Sequence, residues 1–409
     1  MATGSFRQRG CKCPPERKRC TCGAKWYYRY DIIDPTTGRR KQKETKGFKT
    51  KAEAEKEAKR IQYELEVGTY VEEKDITFED FVGDWLEYYG STRGVKISTV
   101  RMRKYELSLL SAYFRHLKLK DITRKQYQDA LNELKKRGFA ESTLINVHGT
   151  GRMFFERAME MEIIKSDPTE YAAIPRTQRT LIEIEEQEIP KYLEKEELSH
   201  FLSIIPDHGV DIRDYVVFLT LAYTGMRIGE LLALKWSDID FDEQTISITK
   251  TYHNPDNITD AYLLLPPKTK KSKRIITVEK IVLDEMTKYK QVQNEVKMKY
   301  RTTYHDENFV FTQLSATYAG YPIYTRLIRF RLERLLKIAG IEKPLTPHSF
   351  RHTHTSLLAE AGVSLEQIME RLGHTNDTTT KAIYLHITKP KRKEASKKFG
   401  KLMNKVSNK

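Results

Sequence analysis

The sequence predicts a mainly helical protein with small β-sheets. Apolar side chains recur at helical spacing over most of the chain, as at Phe78, Phe81 and Trp85. Strand-forming residues are confined to short segments, of which Trp26–Ile33 is the clearest. A length of 409 residues fits two or three domains. We expect three, at residues 1–70, 76–170 and 191–409, with an interdomain linker at 171–190.

The composition favours a polyanionic partner. The chain has 72 Lys and Arg against 56 Asp and Glu, a formal net charge of +16. Residues 1–60 alone hold 18 basic and 7 acidic side chains, a net charge of +11. This excess is typical of proteins that bind nucleic acid, although a charged, solvated surface would also produce it. No apolar run is long enough to cross a membrane, so we expect no membrane partner.

The first domain is predicted to be a three-stranded sheet with one helix. Strand-type segments at 5–10, 26–33 and 39–47 are separated by loop and turn residues. A helix is predicted over 51–67, with Thr50 as its N-cap. The second strand segment combines a basic side chain, Arg29, with aromatic ones, which suits a surface that contacts nucleic acid.

All four cysteines lie in the loop between the first two strands, as Cys11-Lys-Cys13 and Cys20-Thr-Cys22. Four thiolates across a short loop could bind Zn²⁺ tetrahedrally, although the usual spacing is Cys-x-x-Cys. The N-terminus lacks the apolar segment of a signal peptide, and disulfides are not expected in a cytosolic protein. Two interpretations stay open, a structural zinc site and four reduced thiols.

Residues 76–170 are predicted to form a bundle of four helices. The helical segments lie at 78–89, 99–114, 124–137 and 143–161. Ser98 and Thr123 are the predicted N-caps of the second and third helices. Basic side chains such as Arg103 and Lys104 are candidates for phosphate contacts, but a solvated helix face is the more common role for any one of them.

The last domain, residues 191–409, contains the most apolar helix. Residues 215–224 are apolar on nearly every side, which predicts a buried helix ended by Gly225. Arg227 follows at the start of another helix, predicted over 228–236, where an arginine can meet a phosphate. Strands are predicted at 245–249 and 274–278, and a basic amphipathic tail helix at 395–406.

The stretch from Thr346 to Tyr384 suits chemistry on a phosphate. His348 and Arg351 are three residues apart, so both project from one face of a helical turn. His374 follows in a Leu-Gly-His sequence, and Tyr384 comes ten residues later. Arginine binds phosphate through a planar fork, histidine moves protons near neutral pH, and tyrosine can act as a nucleophile. No carboxylate in this stretch is placed to complete a metal site with the histidines.

Two upstream segments complete the pattern, Thr224-Gly-Met-Arg227 and Pro267-Lys268-Thr-Lys-Lys-Ser-Lys-Arg274. With His-x-x-Arg, Leu-Gly-His and the final tyrosine, they resemble the signature of the tyrosine recombinases, the integrase family of site-specific DNA recombinases. The resemblance implies an arm-type DNA-binding module, a helical core-binding domain and a mixed α/β catalytic domain. It also implies six catalytic residues, which are Arg227, Lys268, His348, Arg351, His374 and Tyr384.

The resemblance assigns the nucleophile and the proton transfers. Tyr384 would attack the phosphorus and form a 3′-phosphotyrosyl bond, while His348 accepts or relays the phenolic proton. Lys268 would protonate the departing 5′-oxygen, with Lys270 as the alternative.

The remaining three residues would stabilise charge on the phosphate. Arg227 and Arg351 would neutralise the non-bridging oxygens, and His374 would donate a hydrogen bond to them. The arginines and the lysine supply the positive charge that a metal ion supplies in other enzymes, so no cofactor is implied for catalysis. The covalent link retains the ester bond energy, so no ATP is implied either.

The resemblance also implies partners. Double-stranded DNA would be bound at core and arm attachment sites by a homotetramer that passes through a Holliday junction, with an excision factor as a further partner. The location would be the cytoplasm of a bacterial host, close to the nucleoid, and the mobile element a phage or an integrative element. A type IB topoisomerase and a DNA-binding regulator without activity are the alternatives.

Overall fold

The computed structural model describes residues 4–13, 22–33, 38–68, 70, 74–92, 94–176, 191–267, 270–373 and 378–388. The chain separates into two compact units, Met1–Gln178 and Arg179–Lys409. The fold is mainly helical with small antiparallel sheets, as the sequence predicts. No helix among the described residues is long and apolar enough to cross a membrane. The predicted tail helix at 395–406 lies outside the described residues.

The first unit begins with an antiparallel sheet of order β1-β2-β3. Its elements are β1 (Ser5–Gln8), β2 (Trp26–Ile33), β3 (Arg40–Glu44) and the helix α1 (Lys51–Val67). Thr50 and Glu53 form a capping box at the start of α1, which confirms the predicted N-cap. Tyr28 and Tyr30 of β2 pack with Ala58 of α1 in a small core, because alternate residues of a strand face the same side.

A four-helix bundle completes this unit. Its helices are α2 (Phe78–Thr92), α3 (Ile97–Phe114), α4 (Arg124–Lys136) and α5 (Glu141–Glu160). Phe78, Phe114 and Phe154 are fully buried in its core. Thr123 caps α4 through a capping box, as predicted. The predicted cap at Ser98 is wrong, since the carbonyl of residue 96 already accepts the first amide bonds of α3 and places Ser98 inside the first turn.

The second unit contains the remaining elements. The helices are α6 (Lys195–His208), α7 (Ile212–Thr224), α8 (Ile228–Leu232), α9 (Lys280–Lys299), α10 (Thr325–Ile338), α11 (Ser349–Glu360), α12 (Leu365–Leu372) and α13 (Thr378–Ile387). The strands are β4 (Ile239–Asp240), β5 (Thr245–Ile248), β6 (Thr251–His253), β7 (Leu263–Leu265) and β8 (Arg274–Thr277). They form one antiparallel sheet of order β4-β5-β8 and one hairpin of β6 and β7.

Helix α7 lies at the centre of this unit. Nearly all its residues are buried, and Phe218 stacks on Phe350 of α11 with ring centroids 5.4 Å apart. Gly225 ends α7 in the left-handed conformation, as predicted. The following helix is shorter than the predicted 228–236 and ends at Leu232, so the chain can turn into the sheet.

Candidate active site

Arg351 is the buried centre of the candidate site. Its side chain projects from the first turn of α11 and is only 2% exposed. Nη1 donates to the carbonyl of Gly225 at 2.8 Å, and Nη2 donates to the carbonyl of Leu372 at 2.5 Å. One guanidinium therefore joins the end of α7 to the end of α12.

Only glycine fits at position 225. Its φ of 61° is in the left-handed region. A Cβ there would lie 2.6 Å from Cδ2 of His354 and 2.8 Å from Cδ2 of Leu372. The tight approach brings the Gly225 carbonyl to Arg351, and it also sets the start of the segment that carries Arg227.

Arg227 lies at the N-terminus of α8 and is held by Glu230. Its Nη1 donates to Glu230 Oε1 at 2.8 Å and its amide donates to Oε2 at 3.0 Å. The Arg227 side chain keeps an exposed fraction of 35%, whereas that of Glu230 is 3%. Arg227 therefore combines a fixed backbone position with a guanidinium that solvent can reach.

Glu230 also binds Arg274, the first residue of β8. Arg274 Nη2 donates to Glu230 Oε2 at 2.9 Å, and its Nε donates to the carbonyl of Arg371 at 2.8 Å. Burial on its own raises the pKa of Glu230, but the hydrogen bond and charge of Arg274, together with Arg227, lower it below its usual range. Glu230 is therefore ionised at neutral pH and holds two cations together.

A second contact fixes the end of α12. Arg371 Nε donates to Nε2 of His354 at 3.0 Å, and His354 Nδ1 lies 2.8 Å from the carbonyl of Ala222. Burial, and then the charge of Arg371, lower the pKa of His354 to about 3. The imidazole is therefore neutral, donates from Nδ1 to Ala222 and accepts from Arg371.

Sequence reasoning missed the roles of Glu230 and Arg371. A signal for Arg371 exists in the helical period of α12, because Ile368 and Leu372 are both buried and Arg371 lies between them in the last turn. Glu230 is preceded by Arg227 at a spacing that supports an ion pair. Its second partner, Arg274, has no local signal in the sequence.

Tyr384 lies on α13, which packs against α11. Its half-buried side chain packs on the apolar cluster of Ala359, Ile368 and Leu372. Tyr384 thus packs on the apolar cluster that includes Leu372, whose carbonyl accepts from Arg351. The segments that carry Arg227 and Arg351 meet at Gly225 and Leu372, and the helix that carries Tyr384 packs on the same apolar cluster as Leu372.

The other predicted site residues divide into two groups. His348 is exposed at the N-cap of α11, with its ring 4.9 Å from the ring of His352 and perpendicular to it. Lys268 and His374 lie outside the described residues, as does the side chain of Lys270. Arg274 follows Lys268 in the sequence and Arg371 precedes His374. The hydrogen bond from Arg274 to the Arg371 carbonyl joins these two segments.

Comparisons with known proteins show the family of the chain. Residues 191–391 match the Phage integrase family, residues 16–65 the Arm DNA-binding domain, and residues 77–135 the Phage integrase N-terminal SAM-like domain. The integrase of Staphylococcus phage L54a is 30% identical over 348 residues, which cover 81% of this chain and 94% of that protein. The ICEBs1 integrase of Bacillus subtilis (strain 168) is 27% identical, and the match covers 92% of this chain and 97% of that one.

Solved structures share the fold. The Tn1549 transposon integrase in complex with a circular intermediate DNA superposes with a TM-score of 0.62 at 21% identity, covering 79% of this chain and 99% of that one. A lambda integrase tetramer bound to a Holliday junction gives a TM-score of 0.54 at 18% identity, covering 87% of this chain and 92% of that one. The family match defines an enzyme that cleaves and rejoins DNA strands. The chain belongs to the phage integrase family of tyrosine recombinases.

We predict that Gly225→Ala destabilises the second unit more than Gly340→Ala does. Both glycines have positive φ, 61° and 65°, so both variants bear the backbone strain of roughly 1–2 kcal/mol. A Cβ at Gly340 meets no atom within 4 Å, whereas at Gly225 it clashes with His354 and Leu372. Denaturant unfolding of the two variants measures the difference. Equal losses would mean that the close approach at Gly225 is not needed.

Proposed function

We propose that this protein integrates and excises a phage or integrative element by cutting and rejoining DNA at specific sites. The bonds from Arg351 to the carbonyls of Gly225 and Leu372 support this most, since they join three motif segments that are distant in sequence. Tyr384 packs on the apolar cluster that includes Leu372, so the helix that carries the proposed nucleophile adjoins the arginine network.

Cleavage in this proposal begins at Tyr384. Its phenolic oxygen attacks the phosphorus, the bond to the 5′-oxygen breaks, and a 3′-phosphotyrosyl ester forms. His348 accepts or relays the phenolic proton, and Lys268 protonates the departing 5′-oxygen. A free 5′-hydroxyl from the other duplex then attacks the ester, which releases Tyr384 and rejoins the strand.

Three residues stabilise the transition state. Arg227 and Arg351 neutralise the non-bridging oxygens, with His374 as a further donor. The ionised Glu230 holds Arg227 in place without cancelling the local charge, because Arg274 binds the same carboxylate. The reaction uses no metal ion and no nucleotide, since cations of the protein meet the developing charge.

We assign arm-site binding to the domain at residues 1–70. Tyr28 and Tyr30 face α1, so Tyr27 and Arg29 face the opposite side of the sheet, where Arg9 lies 5.6 Å from the Tyr27 ring. Two strands with basic and aromatic side chains suit insertion into a major groove. The match to the Arm DNA-binding domain supports this assignment.

We assign core-site binding to residues 76–170 and catalysis to residues 191–409, with residues 171–190 as their linker. Lys104 is exposed on α3 and suits a phosphate contact. Arg103 does not, because its Nη1 donates to Glu106 at 2.9 Å and to Thr150 at 2.8 Å inside the bundle. Arg103 is therefore not among the proposed phosphate contacts of this domain.

The active assembly in this proposal is a homotetramer on two duplexes, which acts in the bacterial cytoplasm with an excision factor. The lambda integrase tetramer on a Holliday junction supports the assembly by similarity of fold. Exchange between two marked duplexes that carry the attachment sites tests the function. Relaxation of supercoiled DNA without exchange would indicate a topoisomerase instead.

Tyr384→Phe should abolish the covalent protein–DNA adduct and leave DNA affinity nearly unchanged, because only the attacking oxygen is removed. Gel detection of the adduct on a nicked core-site fragment measures this. Tyr318→Phe, at an exposed tyrosine of the same unit, is the matched control and should cleave normally. An adduct that persists in Tyr384→Phe would assign the nucleophile to another of the 23 tyrosines.

Arg351→Lys should slow cleavage by roughly 10²–10³, the usual cost of a lost transition-state donor. Lysine keeps the charge, but it cannot bond to two carbonyls through a planar fork. Arg331→Lys is the matched control, since Arg331 is also buried and bonds to Asp214 inside the unit. Both variants should lose stability, but only Arg351→Lys should lose rate below its melting temperature. Similar cleavage rates in the two variants would show that Arg351 does not act on the phosphate.

EDTA should leave cleavage of a core-site fragment unchanged, because the proposed reaction uses only protein cations. Single-turnover rates with and without chelator check this. A rate that falls with EDTA and returns with Mg²⁺ would contradict the mechanism.

A further inference from the structure

We propose that Cys11, Cys13 and Cys22 bind a structural zinc ion that fixes the loop between β1 and β2. Their three sulfur atoms all lie within 4.8 Å of one another. The fourth cysteine of the sequence, Cys20, lies outside the described residues, and the site is argued without it. The proposal concerns the stability of the first domain and does not touch the cleavage chemistry.

The separations suit thiolates around one ion. The Sγ atoms of Cys11 and Cys22 are 3.6 Å apart, far beyond the bond length of about 2.05 Å in a disulfide. Zinc–sulfur bonds of about 2.3 Å in a tetrahedron place neighbouring sulfurs roughly 3.8 Å apart. The cysteines are thus already close to the spacing that a shared zinc ion requires.

Strand pairing brings the cysteines together. The β1–β2 register ends with Gln8 opposite Trp26. Beyond this pair the Arg9 amide donates to the carbonyl of Lys25 at 3.3 Å, and Gln8 Nε2 donates to the carbonyl of Ala24 at 2.8 Å. The two ends of the loop therefore run side by side, and Cys11 and Cys13 come to face Cys22 across them.

Packing does not explain the cluster. Cys11 and Cys22 are exposed and Cys13 is only partly buried, so hydrophobic burial does not account for the clustering of the three thiols. Lys12 and Lys25 lie within the same loop, and neighbouring cations favour the thiolate form that binds metal. Zinc suits such a site, since it accepts tetrahedral thiolate ligands in short loops.

The first domain has a small core, so a bound metal ion would add stability to it. Its buried core consists of Tyr28, Tyr30, Ala58 and Ile61, with a few partly buried neighbours. Cores of this size stabilise a sheet only marginally, and small domains commonly add a metal or a disulfide. An ion at the open end of the β1–β2 pair would hold the sheet where the core does not reach.

Metal content is the first test. The full-length protein, purified without chelator, should contain about one zinc ion per chain by plasma mass spectrometry. Cys11→Ser combined with Cys22→Ser should reduce zinc to background, while Lys12→Arg, which changes the same loop but keeps the thiols and the positive charge, should retain it. After Co²⁺ exchange the parent should show sulfur-to-cobalt charge-transfer bands. A parent that neither contains nor takes up metal, or cobalt spectra without these bands, would overturn the proposal.

Hydrogen exchange tests what the ion does. Removing zinc from the parent should speed exchange of amides in β1 and β2, including that of Arg9, and leave the second unit unchanged, because it has no cysteine. Zinc bound without any effect on these amides would refute the structural role. Neither readout uses DNA, so failure of the proposed recombinase function would not alter the result, and failure here would not alter cleavage.

Discussion

The packing of the second unit depends on one buried cation, the guanidinium of Arg351, which needs hydrogen-bond partners. Removing a guanidinium from water costs several kcal/mol unless its donors are satisfied. The two Nη groups of Arg351 find acceptors at two helix ends, since Gly225 caps α7 and Leu372 is the last residue of α12. Carbonyls at helix C-termini carry partial negative charge and stabilise a cation there. The positions of the two helices and of the arginine therefore determine one another.

A second layer of contacts extends this arrangement to the sheet. Arg274 links β8 to α8 through Glu230 and to α12 through the carbonyl of Arg371. Arg371 in turn reaches His354 and the carbonyls of Tyr223 and Thr277. Burial, and then the nearby charge of Arg274, lower the pKa of Arg371, which reflects how closely these cations are packed. Apart from Glu230, the hydrogen bonds described here for Arg274 and Arg371 go to neutral groups, while the charge of Glu279 acts to raise the pKa of Arg371.

Local signals in the sequence predict local structure well. Thr50 and Thr123 cap their helices as expected, and Gly225 ends α7, because each depends on neighbours within one turn. The predicted N-cap at Ser98 is wrong because the backbone hydrogen bonds of α3 begin two residues earlier, at the carbonyl of residue 96. The contact between Glu230 and Arg274 joins residues 44 apart, and no local rule predicts it. The family motif predicts which residues matter, but it does not show which of them are buried or what holds them.

Arg351 and Arg227 have the same predicted role in the family motif, but they differ in how deeply they are buried. Arg351 is 2% exposed and spans two backbone carbonyls, whereas the Arg227 side chain is 35% exposed and rests on one carboxylate. An arginine fixed by carbonyls cannot move far without exposing them, so Arg351 sets the position of the surrounding segments as well as supplying charge. Arg227 can change partners more easily, because Glu230 remains paired with Arg274 when Arg227 turns towards another anion. Such a movement would leave Glu230 Oε1 without its bond from Arg227 Nη1, so the retained bond from Arg274 to Oε2 reduces the cost of the movement but does not remove it.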